Sequence, residues 1–237
     1  MRVVIAGGHG KIALLLAEQL AERGDSPVGL IRNPDHADDV RAAGAEPVEV
    51  DLEGTTPDRL AEHLAGADAV VFAAGAGPDS GAERKRTVDR DAALLLADAA
   101  IAAGVRRYLL VSSMGADGPP SETEDDSVWG TYLRAKSDAE KGVLARKGDL
   151  DATVLRPGRL TDEPATGRVS LQEDKVGHEE VTRADTALTL IALLDAPQTA
   201  GLVLELINGT VPLGTAVDAL GGATGPSVHG DELAGDR

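Results

Sequence analysis

Short apolar runs alternate along this chain with stretches whose apolar positions recur at helical spacing. Val3, Val4, Ile5 and Ala6 form one run bounded by glycine. A run this short reads as a strand buried on both faces. Ile12, Leu15, Leu16 and Leu20 then fall at helical spacing, and Gly24 stops the helix. The same alternation predicts further strands over 27–31, 47–50, 69–74, 107–111, 152–155 and 202–207. Helices are expected over 35–43, 58–64, 83–103, 128–147, 183–194 and 213–220, with Thr182 as an N-cap. Strand–helix alternation of this kind predicts an α/β fold, a doubly wound parallel sheet of about seven strands. One domain is expected over 1–220, with substrate-side segments at 113–128 and 157–182. The stretch 159–181 has no clear period and reads as irregular. Residues 221–237 are polar and Gly-rich, the composition of a tail without a fixed fold.

In such a sheet the ligand lies beyond the carboxyl ends of the strands. Gly7, Arg32, Asp51, Gly75, Ser112, Ser113 and Pro157 are placed there by the predicted elements. The first of these ends carries Gly8-His-Gly10-Lys-Ile-Ala13, a G-x-G-x-x-A sequence between a strand and a helix. Gly7 and Gly8 permit a tight turn. Gly10 lets the backbone approach a pyrophosphate, whose charge is met by free N–H groups at the helix start. Ala13 is small enough for the helix to pack on the strand. A P-loop is excluded by spacing, because Ile5 and Ile12 stand where that motif needs glycine and Ser or Thr.

The second strand decides between dinucleotides. An NAD site places Asp or Glu at its end to hold the ribose 2′-OH. Here the strand ends in Ile31-Arg32, and Asp25 precedes it. Arg32 suits a 2′-phosphate, so NADP(H) is expected over NAD(H), with Lys11 adding positive charge. Asp51 and Leu52 would flank the adenine. Ala73, Ala74 and Gly75 would line the ribose and pyrophosphate, and Ile12, Ser112, Lys136 and Pro157 complete the expected cofactor surface.

Tyr132 and Lys136 are four apart on one helix and share a face. An ammonium one turn away favours the phenolate, which suits the pair to acid–base work. Lys136 can also hydrogen-bond a cofactor ribose. Ser113 could orient a substrate oxygen; period-two alternation lets only one of Ser112 and Ser113 face the site. The spacing Y-x-x-x-K also arises by chance, and its weight here comes from following the fifth strand and its serines.

Composition narrows the picture further. Across 237 residues, 40 acidic against 23 basic side chains give a formal charge of −17, which repels nucleic acid and anionic membranes. An anionic cofactor then needs a local positive site. There is no cysteine, so thiolate chemistry is absent. No apolar stretch is long enough for a membrane span or a signal peptide, and a cytoplasmic protein is expected. The histidines, at 9, 36, 63, 178 and 229, are scattered, and no metal site is expected.

Taken together, Gly7-Gly-His-Gly-Lys-Ile-Ala13, Ile31-Arg-Asn-Pro34, Val50-Asp-Leu52, Val111-Ser-Ser-Met-Gly115, Tyr132-Leu-Arg-Ala-Lys136 and Leu155-Arg-Pro-Gly158 resemble the atypical short-chain dehydrogenase/reductase superfamily. The similarity is to its single-domain NAD(P)H-binding group, which includes biliverdin reductase B, NmrA-like proteins and relatives of sugar-nucleotide epimerases. Val181-Thr-Arg-Ala-Asp185 also resembles a segment of that group. The resemblance implies a Rossmann fold, NADP(H), and catalytic roles for Ser113, Tyr132 and Lys136. Two features depart from the pattern: Phe72-Ala-Ala-Gly75 replaces an Asn-Asn-Ala-Gly type of motif, and Ala13 replaces the third glycine. The expected activity is NADPH-dependent reduction of a small carbonyl, quinone or flavin. The alternatives are a non-catalytic NADP(H) sensor and a small epimerase- or dehydratase-like enzyme. The partners expected are a small-molecule substrate and, at most, a second copy of the chain.

Overall fold

The structure, a computed structural model, describes residues 1–77, 79–173 and 175–220. The expected tail, 221–237, lies outside the described residues. Strand β1 (Arg2–Ala6) is flanked by β2 (Ser26–Ile31) and β4 (Ala69–Phe72), and β3 (Glu46–Glu49) pairs outside β2. On the other side follow β5 (Arg107–Val111), β6 (Asp151–Pro157) and β10 (Val203–Asn208). All seven run parallel, in the spatial order 3-2-1-4-5-6-10. The chain leaves β3 and re-enters beside β1, so the order reverses between β1 and β4, where such sheets open a crevice.

Alternate residues of each strand feed opposite cores. Val3 and Ile5 pack with Ala13, Leu16 and Leu20 of α1 (Lys11–Glu22) and with Leu190 and Leu193 of α6 (Arg183–Leu194). Val4 and Ala6 face Leu60 and Leu64 of α3 (Pro57–Leu64), Leu96 of α4 (residues 82–102), and Ala139 and Val143 of α5 (Val128–Leu144). A short α2 (Ala37–Ala42) precedes β3 and α7 (Leu213–Asp218) closes the described chain. Side chains start the helices that matter to the site. Ser127 Oγ accepts the Gly130 N–H at 3.1 Å, and Thr182 Oγ1 accepts the Asp185 N–H at 2.8 Å.

Three features exceed the sequence-based expectation. The sheet has nine strands, because β8 (Arg168–Gln172) pairs antiparallel with β10 and β11 (Val211–Pro212) pairs with β8. A separate parallel pair joins β7 (Arg159–Thr161) to β9 (Glu180–Thr182). Segment 159–181, expected to be irregular, thus contains short strands among its described residues. In β8 only Val169 and Leu171 are buried, between polar residues, so its two-residue period is too short to stand out. Finally, α4 widens into a π-helical segment over Lys85–Asp91, between Ala82–Arg84 and Ala92–Ala102. Such widened turns are frequent at functional sites.

Candidate functional site

A crevice crosses the carboxyl ends of the parallel strands in two joined chambers. The first, about 340 Å³, is bounded by Gly7, His9 and Gly10, by Arg32 and His36 beyond β2, by Asp51, Leu52 and Glu53 beyond β3, and by Arg84. The second, about 610 Å³, is bounded by Ile12, Lys85, Asp89, Val111, Ser112, Trp129, Tyr132, Lys136, Pro157 and Leu160. Ala73, Ala74 and Gly75 line both, so the small residues after β4 form the shared wall.

The glycine turn is fixed by close approach. Gly7 has φ of +81°, and a Cβ there would lie 2.6 Å from Ala74 Cα. A Cβ on Gly8 would lie 2.6 Å from Gly29 Cα, where the Gly8 N–H donates to the Leu30 carbonyl at 2.9 Å. Gly8 thus packs on β2 and does not line the crevice. Gly10 occupies the N-cap of α1, with no side chain capping the helix, and Ala13 is fully buried beneath it.

In the first chamber, Arg32 and Arg84 converge on one carboxylate. Glu53 accepts from Arg84 at 2.7 Å, from Arg32 at 3.3 Å and from Thr87 Oγ1 at 2.6 Å. The Thr87 hydrogen bond, followed by the two guanidinium charges, holds the Glu53 carboxyl below its ordinary range against its own desolvation. His9 stacks on His36 with ring centroids 3.7 Å apart, and its Nε2 lies 2.7 Å from Asp39 Oδ2. Lys11 lines neither chamber. Its ammonium donates to Asp162 at 2.6 Å, which also accepts from Arg183 at 2.6 Å. That chain of charges ties the start of α1 to the segment after β7.

The second chamber holds the acid–base candidates. Lys136 is only 4% exposed, donates to the Val111 carbonyl at 3.1 Å and lies 3.3 Å from the Asp89 carboxylate. Its Nζ is 5.8 Å from the Tyr132 ring centroid. Lys85, 7% exposed, donates to the Gly77 carbonyl at 2.6 Å and sits 5.4 Å from the same centroid. Trp129, the single tryptophan and 59% exposed, stacks on Tyr132 at 5.2 Å. Tyr132 therefore lies between an indole and two ammonium groups.

The two serines part company. Ser112 lines this chamber, but its hydroxyl donates to Glu140, which is held in turn by Arg156 through Nε at 2.9 Å and a second nitrogen at 2.5 Å. Ser113 donates to the Met114 carbonyl at 3.1 Å and opens on a neighbouring cavity of about 870 Å³ with Arg159, His178 and Asn208. Trp129 and Pro157 border both cavities. The structure thus gathers Tyr132, Lys136 and Ser112 in one chamber and leaves Ser113 at the next.

Of the expected cofactor residues, Gly7, Gly10, Ile12, Arg32, Asp51, Leu52, Ala73, Ala74, Gly75, Ser112, Lys136 and Pro157 border the crevice, and Gly8 and Lys11 do not. Glu53, Arg84, Lys85, Asp89 and Trp129 are additions. Lys85 and Asp89 share a four-residue spacing, a signal visible in the sequence, but the widened turn that aims them at the cavity is not.

Comparison with known proteins agrees with this layout. A family model described as NAD(P)H-binding matches residues 7–197. The chain is 34% identical over 221 residues to the uncharacterized sugar epimerase YhfK of Bacillus subtilis, covering 93% of this chain and all of that protein. A structure from Bacillus halodurans, described as a candidate NAD-dependent epimerase/dehydratase, superposes with a TM-score of 0.83 at 33% identity, covering 92% of this chain and 99% of the other. ChuY, described as an anaerobilin reductase from Escherichia coli O157:H7, gives 0.72 at 26% identity, covering 88% and 97%.

Proposed function

The chain belongs to this NAD(P)H-binding family, and we propose that it is an oxidoreductase that takes NADP(H) in preference to NAD(H) and reduces a small carbonyl, quinone or flavin-type compound. The observation that supports the reading most is the continuity of the crevice. It starts at the glycine turn and ends at Tyr132 and Lys136.

The residues present fit a dinucleotide. Gly7 and Gly10 keep side chains away from the start of α1, whose first N–H groups have no side-chain cap and suit a pyrophosphate. Arg32 and Arg84 offer planar guanidinium groups to a 2′-phosphate, and a dianion competes well with the single Glu53 carboxylate they now share. A bound, reduced nicotinamide supplies hydride. On the protein side, Tyr132 donates a proton to the substrate oxygen. Lys85 and Lys136, whose ammonium groups lie over the Tyr132 ring, would help to offset the negative charge left on the phenolate. Ser113 serves a substrate that extends into the neighbouring cavity.

Reduction is in keeping with the description of ChuY. A second reading, epimerase or dehydratase chemistry on a sugar, is favoured by the descriptions of YhfK and of the Bacillus halodurans protein. Replacing Tyr132 tests the first. In Tyr132→Phe, carbonyl reduction should fall roughly 10²-fold or more with dinucleotide affinity intact. Unchanged carbonyl turnover would remove Tyr132 from the mechanism. Conversion of a nucleotide sugar without net consumption of NADPH would favour the second reading.

A further inference from the structure

Aromatic side chains are scarce in this chain, which has one tryptophan, two tyrosines and one phenylalanine. Phe72 and Tyr108 are fully buried in the core. Trp129 and Tyr132 instead stack on each other beside the crevice, with ring centroids 5.2 Å apart. Trp129 stays 59% exposed in the first turn of α5. A lone exposed apolar residue needs no explanation by itself. This one borders both the chamber of Tyr132 and the adjoining cavity of about 870 Å³. An indole with one face on a tyrosine and the rest open to a cavity is a platform for another planar ring.

The same cavity holds an unused donor. Asn208 ends β10, and the chain just beyond it is pinned, since a Cβ on Gly209 would lie 2.3 Å from the Val169 carbonyl carbon. Asn208 Oδ1 accepts the Thr182 N–H at 3.3 Å, which settles the end of the amide that faces the backbone. Its Nδ2 donates to none of the described residues. The residue is half-buried and lines the cavity, so two N–H groups are left for a ligand there. Charge on this cavity is already committed: Arg159 pairs with Glu180, and Glu179 adds a further acidic residue. That balance favours an uncharged ligand over an anion.

We propose that Trp129 and Asn208 select the substrate: an uncharged planar ring that lies against the indole, with its reactive carbonyl at Tyr132 and a second oxygen accepting from Asn208 Nδ2. The assignment rests on the reductase reading above and narrows its small carbonyls to ring compounds with two oxygens. Asn208 acts on binding, apart from the transfer of hydride and proton.

Isatin is a suitable probe, a neutral planar ring with a ketone and a lactam oxygen on adjacent carbons. Calorimetry gives its affinity for the full chain, saturated with the tighter of NADP⁺ and NAD⁺ so that no reduction occurs. Fluorescence of Trp129, the sole tryptophan, reports where it sits. In the wild type isatin should quench Trp129. It should bind at least about threefold tighter than cyclohexane-1,2-dione, which lacks the aromatic ring, and than isatin-5-carboxylate, which adds a negative charge. Trp129→Leu should weaken isatin about threefold to tenfold and remove its advantage over the dione. Asn208→Asp keeps an oxygen for the Thr182 N–H and removes only the donor. It should weaken isatin about fivefold or more with dinucleotide affinity unchanged, a loss not expected of a residue that only holds β9. Asn208→Ala should show the same loss and serves where Asn208→Asp fails to fold. Unchanged isatin affinity in the Trp129 or Asn208 variants would overturn the proposal. So would equal or tighter binding of the dione or the carboxylate, or no binding of isatin to the dinucleotide complex. Absence of binding by both dinucleotides is a separate result, and it would overturn the reductase reading itself.

Discussion

At the scale of single residues, the proposed preference for NADPH rests on the charge arrangement around Glu53. Three donors meet its carboxylate, and two of them are the guanidinium groups assigned to the 2′-phosphate. Removing the negative charge frees both. Glu53→Gln should tighten NADPH binding several-fold and leave NADH nearly unchanged; a parallel gain for both would show that Glu53 does not compete with the extra phosphate. Arg32→Ala should weaken NADPH more than NADH, by about tenfold for a lost charged contact. Arg32 itself was legible in the sequence, from its place at the end of a strand. Glu53 and Arg84 were not, because they come from two other loops and meet Arg32 only after the strands have paired. Lys11 stands in the glycine turn by sequence, and in the fold its ammonium donates to Asp162, which also accepts from Arg183.

At the scale of elements, the longest periodic signals were read most closely. The helix expected over 183–194 is α6 with those bounds, started by Thr182 as expected, because an N-cap threonine followed by an apolar face leaves little alternative. The sequence hid what Asp185 does there. Fully buried, it accepts the Thr166 N–H at 2.9 Å, the Gly167 N–H at 2.8 Å and the Thr182 hydroxyl at 3.0 Å. One carboxylate thus ties the turn before β8 to the start of α6. Asp185→Ala leaves the buried Thr182 hydroxyl and the part-buried N–H groups of Thr166 and Gly167 without this acceptor and should cost about 2–4 kcal/mol in urea unfolding. The strands β7, β8 and β9 escaped detection because each is short and the partners that satisfy their backbones are distant in sequence. The π-helical part of α4 likewise leaves no mark in an apolar pattern that continues through Ala92–Ala102.

For the whole molecule, a formal charge of −17 is spread around a crevice that must accept an anion. Self-repulsion of that size opposes the compact state and is screened by salt, so the melting temperature at neutral pH should rise as salt is added up to about 0.5 M. A melting temperature that falls would mean that the ion pairs outweigh the repulsion. Acid acts through specific groups. Hydrogen bonds from Thr87, Lys175 and Lys11, with the adjoining cations, hold the carboxyls of Glu53, Asp117 and Asp162 below their ordinary values in the fold. The unfolded chain therefore binds these protons first. The stability they confer is complete above the ordinary carboxylate range of about 4 and is lost as pH falls through the lower folded values. Denaturant midpoints measured between pH 6 and pH 3 should show this loss at the acid end.

The central claim is that one crevice holds a phosphorylated dinucleotide from the glycine turn to Tyr132. Calorimetric titration of the wild-type protein with NADPH and with NADH tests it most directly. The account predicts one-to-one binding, with NADPH tighter by about tenfold, the scale set by a charged contact to the extra phosphate. Equal or tighter binding of NADH would contradict the roles given to Arg32 and Arg84, and no heat with both nucleotides would contradict the site as a whole.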